Sequence, residues 1–391
     1  MKRVAVLGGG PAGSVAAARL AQSGVSTILL DEKLAWEKPC GGGITWKAYA
    51  QYPFLIDNDT PRKVVRRTTL LEPKAGSATL DLSEPLLIYS RKDLNGMLLE
   101  RAARLGAQVE KERALGVERH STGWRIRTRS GLIDADYVIL ATGARNSLRD
   151  MGTRFTSADS MCALGYYVPT AQDHVEIQFF PGFEGYIWVF PRQDHLSVGI
   201  CGKGHSSAAM RLRLEQWMDE RGISRRDAVF YGHVIPSLER ASWPDNRLAG
   251  EGWAAVGDAA GLVDPVTGEG IYYAVRSGDV AAEIALAHEP AARAAAYRDV
   301  LHREFIQDLA FGSGLAKRFF LQRFMRATVP GQMIEFMRRS PSMTRIVQDL
   351  FAGTQNYLAL KRRLIESLNG TVLELVMGSM LSQRVVEEAE S

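Results

Sequence analysis

Cysteine is scarce in this chain. Its 391 residues hold three, Cys40, Cys162 and Cys201, none in a CxxC pair, which excludes a disulfide framework and a thiolate metal centre. Long apolar runs are missing too, and no stretch reaches the length of a membrane-spanning helix. Nor does one charge dominate: 48 basic against 44 acidic residues leave +4, too little and too dispersed for a nucleic-acid partner. None of the seven histidines has metal-ligand spacing, so no metal is expected, and His174, His195 and His205 read as solvated or hydrogen-bonded side chains. The first strand begins at Val4, leaving no room for a secretion signal. The expected location is the cytoplasm, with at most surface contact to a membrane. What remains is ordinary globular composition, 46% hydrophobic and 24% charged, enough for two or three packed units.

Against these absences stands Val4-Ala5-Val6-Leu7-Gly8-Gly9-Gly10-Pro11-Ala12-Gly13, a buried strand running into a GxGxxG turn and a helix over 11–23. Gly8 permits the tight turn, Gly10 lets backbone approach a pyrophosphate, and Gly13 allows close helix packing. The helix start offers free N–H groups to an anion. A second strand, Thr27-Ile28-Leu29-Leu30, ends at Asp31, where a ribose hydroxyl needs an acceptor. Further on, the spacing predicts short strands over 62–90, a helix over 91–105, hairpins over 113–129, an apolar central strand ending at Ala141-Thr142-Gly143, a β region over 161–201 and a helix over 207–221. From about 270 onward the chain reads as helical without a clear strand.

A second motif follows the strand 253–256. Gly257-Asp258-Ala259-Ala260-Gly261, then Asp264-Pro265 and Thr267-Gly268-Glu269-Gly270, put an acid at a strand end and a glycine-rich turn before helix 271–287. Asp258 suits ribityl hydroxyls, and the helix start suits negative charge on a reduced flavin. Glu269 reads as a residue that orients the turn. No second GxGxxG marks a nicotinamide domain.

With Lys38-Pro39-Cys40-Gly41-Gly42-Gly43 and Tyr186-Ile187-Trp188-Val189-Phe190-Pro191, these motifs resemble the geranylgeranyl reductase family of FAD-dependent oxidoreductases, which has the aromatic-hydroxylase fold. The resemblance spans residues 4 to about 285. It implies an α/β fold: a Rossmann-like FAD-binding domain (1–61, 87–160 and 248–300), an antiparallel β-sheet substrate domain (62–86 and 161–247) and a helical C-terminal region (301–391). FAD would lie against Gly8, Gly10, Gly13, Asp31, Arg91, Gly143, Asp258, Gly268 and Gly270. Cys40, beside the reacting alkene, with Tyr186 and Trp188 on one face of a strand, would carry the substrate chemistry. Cys162 and Cys201 read as bystanders. A departure from the family pattern, Gly199-Ile200-Cys201 in place of Gly-x-Gly, leaves the local backbone path open.

The implied reaction is reduction of C=C bonds in a prenyl chain by hydride from reduced flavin, with NADPH or a reduced carrier protein as electron donor and a hydrophobic or lipid substrate. The alternative is an FAD-dependent monooxygenase or halogenase acting on an aromatic or natural-product substrate, for which Lys74 would be the catalytic lysine. Finally, Lys317-Arg318-Phe319-Phe320-Leu321-Gln322-Arg323-Phe324-Met325-Arg326 mixes basic and bulky apolar residues, and can either lie on an anionic membrane or pack on the neighbouring domain.

Overall fold

The computed structural model describes residues 1–121, 123–148, 151–324, 327–360 and 362–366. The run Val4–Leu7 has no polar face, and it takes the place such a run must take, inside a sheet covered on both sides. That sheet has six strands in the order Ala249–Gly250, Trp253–Ala255, Tyr137–Leu140, Arg3–Leu7, Ser26–Leu30 and Gln108–Glu110, all parallel except the first. Helix Pro11–Gln22 crosses over between the first two strands of the chain and packs against helices Arg91–Arg104 and Ile271–Ala287. A three-stranded sheet, Gly116–His120, Gly123–Arg127 and Leu132–Ala135, is inserted before the central strand. The expected Rossmann-like unit is thus present.

The second sheet has eight strands in the order Val229–Pro236, Ser160–Val168, Leu196–Gly202, Gly185–Pro191, Val175–Phe179, Arg62–Glu72, Gly76–Tyr89 and Gly43–Ile44. All its pairings are antiparallel but one, Val175–Phe179 with Arg62–Glu72. Its strands alternate. Ile187, Val189, Val198 and Ile200 face helix Ser207–Glu220, and bury Met210, Leu214 and Trp217 there. Tyr186, Trp188, Phe190 and Cys201 point the other way, towards the nucleotide sheet.

Two readings of the sequence are corrected. Residues 62–90 form two long strands joined by a tight turn at 73–75, not several short ones, because a register shift at Val65/Arg67 breaks the alternation that spacing alone registers. The C-terminal part is not purely helical, since Arg323–Phe324 and Ala327–Thr328 pair as a minimal ladder. Helix Gln307–Leu321 buries Ala316 and Phe320 against the eight-stranded sheet, with Phe320 touching the rings of Phe179 and Tyr186. Its apolar face is therefore spent on packing. Met325 and Arg326 lie outside the described residues. Among the described residues no helix is long and apolar enough to cross a membrane.

Helix Pro11–Gln22 can dock closely on Ile271–Ala287 only because Gly278 lacks a side chain; a Cβ there would stand 2.1 Å from the Ala12 carbonyl oxygen. Gly278→Ala is expected to lower unfolding stability by about 1–3 kcal/mol, read from the guanidinium midpoint, because neither backbone can yield without shifting a helix.

Candidate active site

One cavity of about 1110 Å³ runs between the two sheets. Its first half is backbone. Gly8 turns at φ 118°, a conformation that side chains resist, and a Cβ on it would strike the Ala141 carbonyl at 2.1 Å. Gly13 packs so closely that its Cβ would lie 2.0 Å from Gly8 O. Gly10 differs: a Cβ there meets nothing within 4 Å, and the same holds at Gly143. Both face empty cavity, and Gly10 caps helix Pro11–Gln22 with no side chain satisfying the first-turn N–H groups. An anionic dinucleotide linker fits that cradle. The Arg91 Nε, buried and without a partner, lies on the same wall.

Asp31 also lines this half, but its carboxylate is already engaged. Oδ2 accepts from Gly9 N at 2.7 Å, and Oδ1 accepts from Lys33 N at 2.8 Å and Leu34 N at 2.6 Å. With about four acceptor positions on a carboxylate, one remains for a ribose hydroxyl. Asp31 thus shapes the glycine turn as well as facing it.

The middle of the cavity is roofed by the loop Lys38–Gly43, and a buried guanidinium is chief among the groups that hold it. The Arg192 side chain has no exposed surface; it donates to Glu37 Oε1 at 3.1 Å, to the Cys40 carbonyl at 2.7 Å and to the Tyr89 carbonyl. Glu37 in turn accepts from Ser90 Oγ and from the backbone N–H groups of Arg91 and Lys92, at the start of helix Arg91–Arg104. Burial pushes the Glu37 carboxyl up, but Arg192 and these donors outweigh it and hold it below the usual glutamate range. Gly42 turns at φ 81°, with Tyr89 O and the Arg192 guanidinium where its Cβ would be. Gly41 and Gly43 lie on the Phe190 ring. The Cys40 thiol, on the cavity wall, accepts from Gly42 N at 3.3 Å.

Beyond the loop the walls turn apolar: Leu70, Leu86, Ile177 and Phe179 on the sheet face Phe319, Met333, Val347 and Phe351 on the C-terminal helices. Trp188 lies flat over Gly199, whose Cβ position its ring fills at 2.3 Å, so strand Leu196–Gly202 keeps a regular path and the glycine is what the indole requires. Its Nε1 donates to Ser197 Oγ at 3.3 Å, and that hydroxyl also meets Tyr231 Oη at 2.9 Å and the Cys40 carbonyl at 3.1 Å. Tyr186 Oη donates to the Thr267 carbonyl at 2.5 Å, tethering the turn Thr267–Gly270 to the sheet. Cys201, across the ladder from Tyr186, is on the wall, whereas Cys162 faces the other way. Burial pushes the Cys201 thiol up to about 12.

The charged groups cluster at two points. At the first, Lys38 Nζ meets Asp258 Oδ2 at 3.0 Å, and burial, which raises the Asp258 carboxyl, loses to that ammonium. His233 stands beside them; burial first and Lys38 second lower it to about 4, leaving its buried Nε2 unpartnered. At the second, Glu269 is deep in the fold yet retains surface towards the cavity, while Lys47 places its ammonium 4.3 Å over the Tyr272 ring. Among the described residues no metal-holding cluster of His, Cys, Asp or Glu occurs.

The structure brings Cys40, Tyr186 and Trp188 to one cavity with Gly8, Gly10, Asp31, Arg91, Gly143, Asp258, Gly268 and Gly270, and Gly13 just behind the turn. His174, His195 and His205 stay off the wall. Sequence reasoning missed Glu37, Arg192, Lys38, Lys47 and His233. Arg192 directly follows the YxWxFP run, an available signal; His233 sits in strand Val229–Pro236, which no motif marks.

The family profile described as "Pyridine nucleotide-disulphide oxidoreductase" matches residues 2–160. Geranylgeranyl diphosphate reductase of rice chloroplasts (Oryza sativa subsp. japonica) is 32% identical over 73% of this chain, and the chain spans 66% of that protein's length. The Synechocystis geranylgeranyl diphosphate reductase is likewise 32% identical, over 73% of this chain and 75% of its own. A digeranylgeranylglycerophospholipid reductase of Methanothermobacter thermautotrophicus is 30% identical, over 72% and 77%. Among solved structures, a geranylgeranyl bacteriochlorophyll reductase-like protein of Thermoplasma acidophilum superposes with TM-score 0.76 at 22% identity, covering 96% of this chain and 99% of that one. A flavin-dependent brominase variant gives 0.69 at 17%, covering 94% and 99%. These two likenesses speak for the fold alone.

Gly10→Val is expected to fold like the parent and purify without a dinucleotide, since its Cβ enters open cavity, whereas Gly8→Val should not fold; absorbance and thermal melting separate the two. Arg192→Met leaves Glu37 without its cation and should cost about 3 kcal/mol in denaturant titration. Because Glu37 is lowered in the folded parent, its contribution is full above the ordinary value of 4.5 and is lost as pH falls through the lower folded value. In the variant the Glu37 carboxyl rises back towards its ordinary value, and that acid-side loss of stability shrinks.

Proposed function

Since this chain belongs to the geranylgeranyl reductase family of FAD-dependent oxidoreductases, we propose that it holds FAD in the glycine-lined half of the cavity and saturates C=C bonds of a prenyl chain lying in the apolar half. The observation that carries the reading is the continuity of the two halves: one cavity joins the Gly8–Gly13 turn to walls of leucine, isoleucine, phenylalanine and methionine. The relatives' names supply the substrate class, for the part of a geranylgeranyl diphosphate and of a digeranylgeranylglycerophospholipid that bears C=C bonds is in both the prenyl chain. When bound, FAD supplies the hydride. Everything else falls to the chain's own residues.

Gly10 and the amides after it take the pyrophosphate, Asp31 the ribose, Arg91 and Asp258 the middle of the cofactor, and the turn Gly268–Gly270 the ring. Tyr186 fixes that turn through its hydrogen bond to Thr267. The loop Cys40–Gly43, whose glycines let it press on Phe190, the Tyr89 carbonyl and Arg192, keeps close to the protein and leaves the cavity beside Cys40 open for a flat ring and an alkene to meet. Trp188 and Phe190 form the floor. An isolated alkene has no carbonyl to absorb charge, so proton and hydride must arrive together and positioning dominates. Prenyl methylenes leaving water for this channel contribute about 0.8 kcal/mol each. The halogenase alternative is weaker here, because Lys74 sits in the turn joining Arg62–Glu72 to Gly76–Tyr89, its amide bonded to Glu72, and is not on the cavity wall.

The test is anaerobic. Photoreduced holoprotein mixed with geranylgeranyl diphosphate or a geranylgeranylated glycerolipid should return to the oxidised flavin spectrum and yield a saturated chain. Reoxidation that requires oxygen and an aromatic substrate would instead establish the monooxygenase class. Cys40→Ala should retain FAD and slow reoxidation by the alkene, as expected of a group that shapes the loop at the reacting bond.

A further inference from the structure

Hydride transfer to an alkene leaves one carbon in need of a proton, and the cavity wall offers several groups that could hold one. Tyr167, Tyr186 and Tyr231 are pushed upward by burial, Cys201 likewise, and all four keep their protons too tightly to surrender them near neutrality. His233 is pushed the opposite way, to about 4, so it is not charged near neutrality and is no general acid there. The Cys40 sulfur is turned to its own loop, where it accepts from Gly42 N, and Cys40→Ala tests it separately below. Glu269 remains.

We propose that Glu269 is the acid that protonates the alkene carbon opposite the one receiving hydride. The inference rests on the prenyl-reduction reading above. Its geometry is that of a held but unpaired carboxyl. Glu269 sits between Gly268 and Gly270 in the ring-facing turn, its backbone tied to Asp264 N and Thr267 Oγ1, and Oε1 accepts from Tyr272 N at 2.8 Å. Among the described residues it has no ion pair, and its remaining surface belongs to the cavity.

The groups around it raise its carboxyl. Burial raises it most, and the buried Asp264 carboxylate, itself held by Val266 N, Thr267 N and Tyr357 Oη, adds repulsion; the net value is about 7. Lys47, from helix Trp46–Gln51, pulls the other way, but is itself desolvated and lies over the Tyr272 ring. Tyr272 and Tyr273 on helix Ile271–Ala287, and Glu304 and Asp308 beyond them, complete the set. A donor matched to working pH is the efficient one.

In the step the alkene π bond breaks and two C–H bonds form. One carbon takes hydride, with the two electrons of the anionic reduced flavin, and the other takes the Glu269 proton. The products are the saturated bond, oxidised flavin and a Glu269 carboxylate, which recovers its proton from water at the cavity mouth. Glu269→Gln keeps an oxygen for Tyr272 N and removes only the proton.

The experiment is anaerobic single-turnover reoxidation by geranylgeranyl diphosphate across pH, together with a carbon-13 NMR titration of glutamate-labelled holoprotein without substrate. The parent should slow about tenfold per pH unit above about 7 and show a glutamate carboxyl titrating there. E269Q should retain FAD, lose that resonance, react about 100-fold or more slowly and lose the pH limb. Cys40→Ala should keep the limb. If the parent reacts and E269Q reacts within about threefold of it with the same limb, or no glutamate titrates near neutrality, the assignment is wrong while prenyl reduction stands. If the parent is not reoxidised by the alkene at all, prenyl reduction falls and this role falls with it. Should E269Q fail to fold, the parent's limb and titration decide alone.

Discussion

The buried Arg192 guanidinium is the constraint on which the rest of the site depends. It directly follows strand Gly185–Pro191 of the eight-stranded sheet, yet its partners are Glu37 and Cys40 of the loop that leaves the nucleotide sheet, and Tyr89 at the end of the long hairpin. A charge with no exposed surface needs partners, and both terminal nitrogens find them although the buried Nε does not, so each of these partners is held by the same requirement. Glu37 passes the constraint on to the start of helix Arg91–Arg104, and so to Arg91. Two sheets with separate cores are thereby held at one spacing, and the cavity between them is the consequence.

Inside that spacing, glycine and aromatic residues divide the work. Where a ligand must come close to backbone, at Gly10 and Gly143, the Cβ position is open. Where the protein must come close to itself, at Gly8, Gly13 and Gly199, the Cβ position is filled by a carbonyl or a ring. The same residue type thus serves two purposes that spacing alone does not distinguish. Polar groups likewise separate: Lys38, Asp258 and His233 gather at the nucleotide half, Lys47 and Glu269 at the ring-facing turn, and the channel beyond is apolar.

Much of this was legible in the sequence because it is local. The GxGxxG turn, the GDAAG and TGEG segments and the alternating face of Tyr186, Trp188 and Phe190 each need only neighbours along the chain. The eight-stranded sheet was less legible, since its strands come from four separated stretches whose pairing is set by long-range packing. Strand Val229–Pro236, half exposed with mixed polarity, carries no period that separates it from loop. Arg192, Glu37 and His233 escaped for a related reason: a charged residue in a sequence reads as solvent-exposed by default, and only the fold reveals that it is buried and paired. The placement of Cys201 on the cavity wall and of Cys162 on the opposite face follows from a one-residue difference in strand phase, which no motif marks.

The central claim is that one continuous cavity presents a prenyl chain to a flavin. It is tested most directly by a crystal structure of the protein with FAD and an unreactive, saturated geranylgeranyl analogue. The account predicts the flavin ring against Gly268–Gly270, with the chain starting at its face beside Cys40 and running over Trp188 between Phe179 and Met333 towards Phe351. A chain bound on the outer surface, or a ring seated away from that turn, would contradict it.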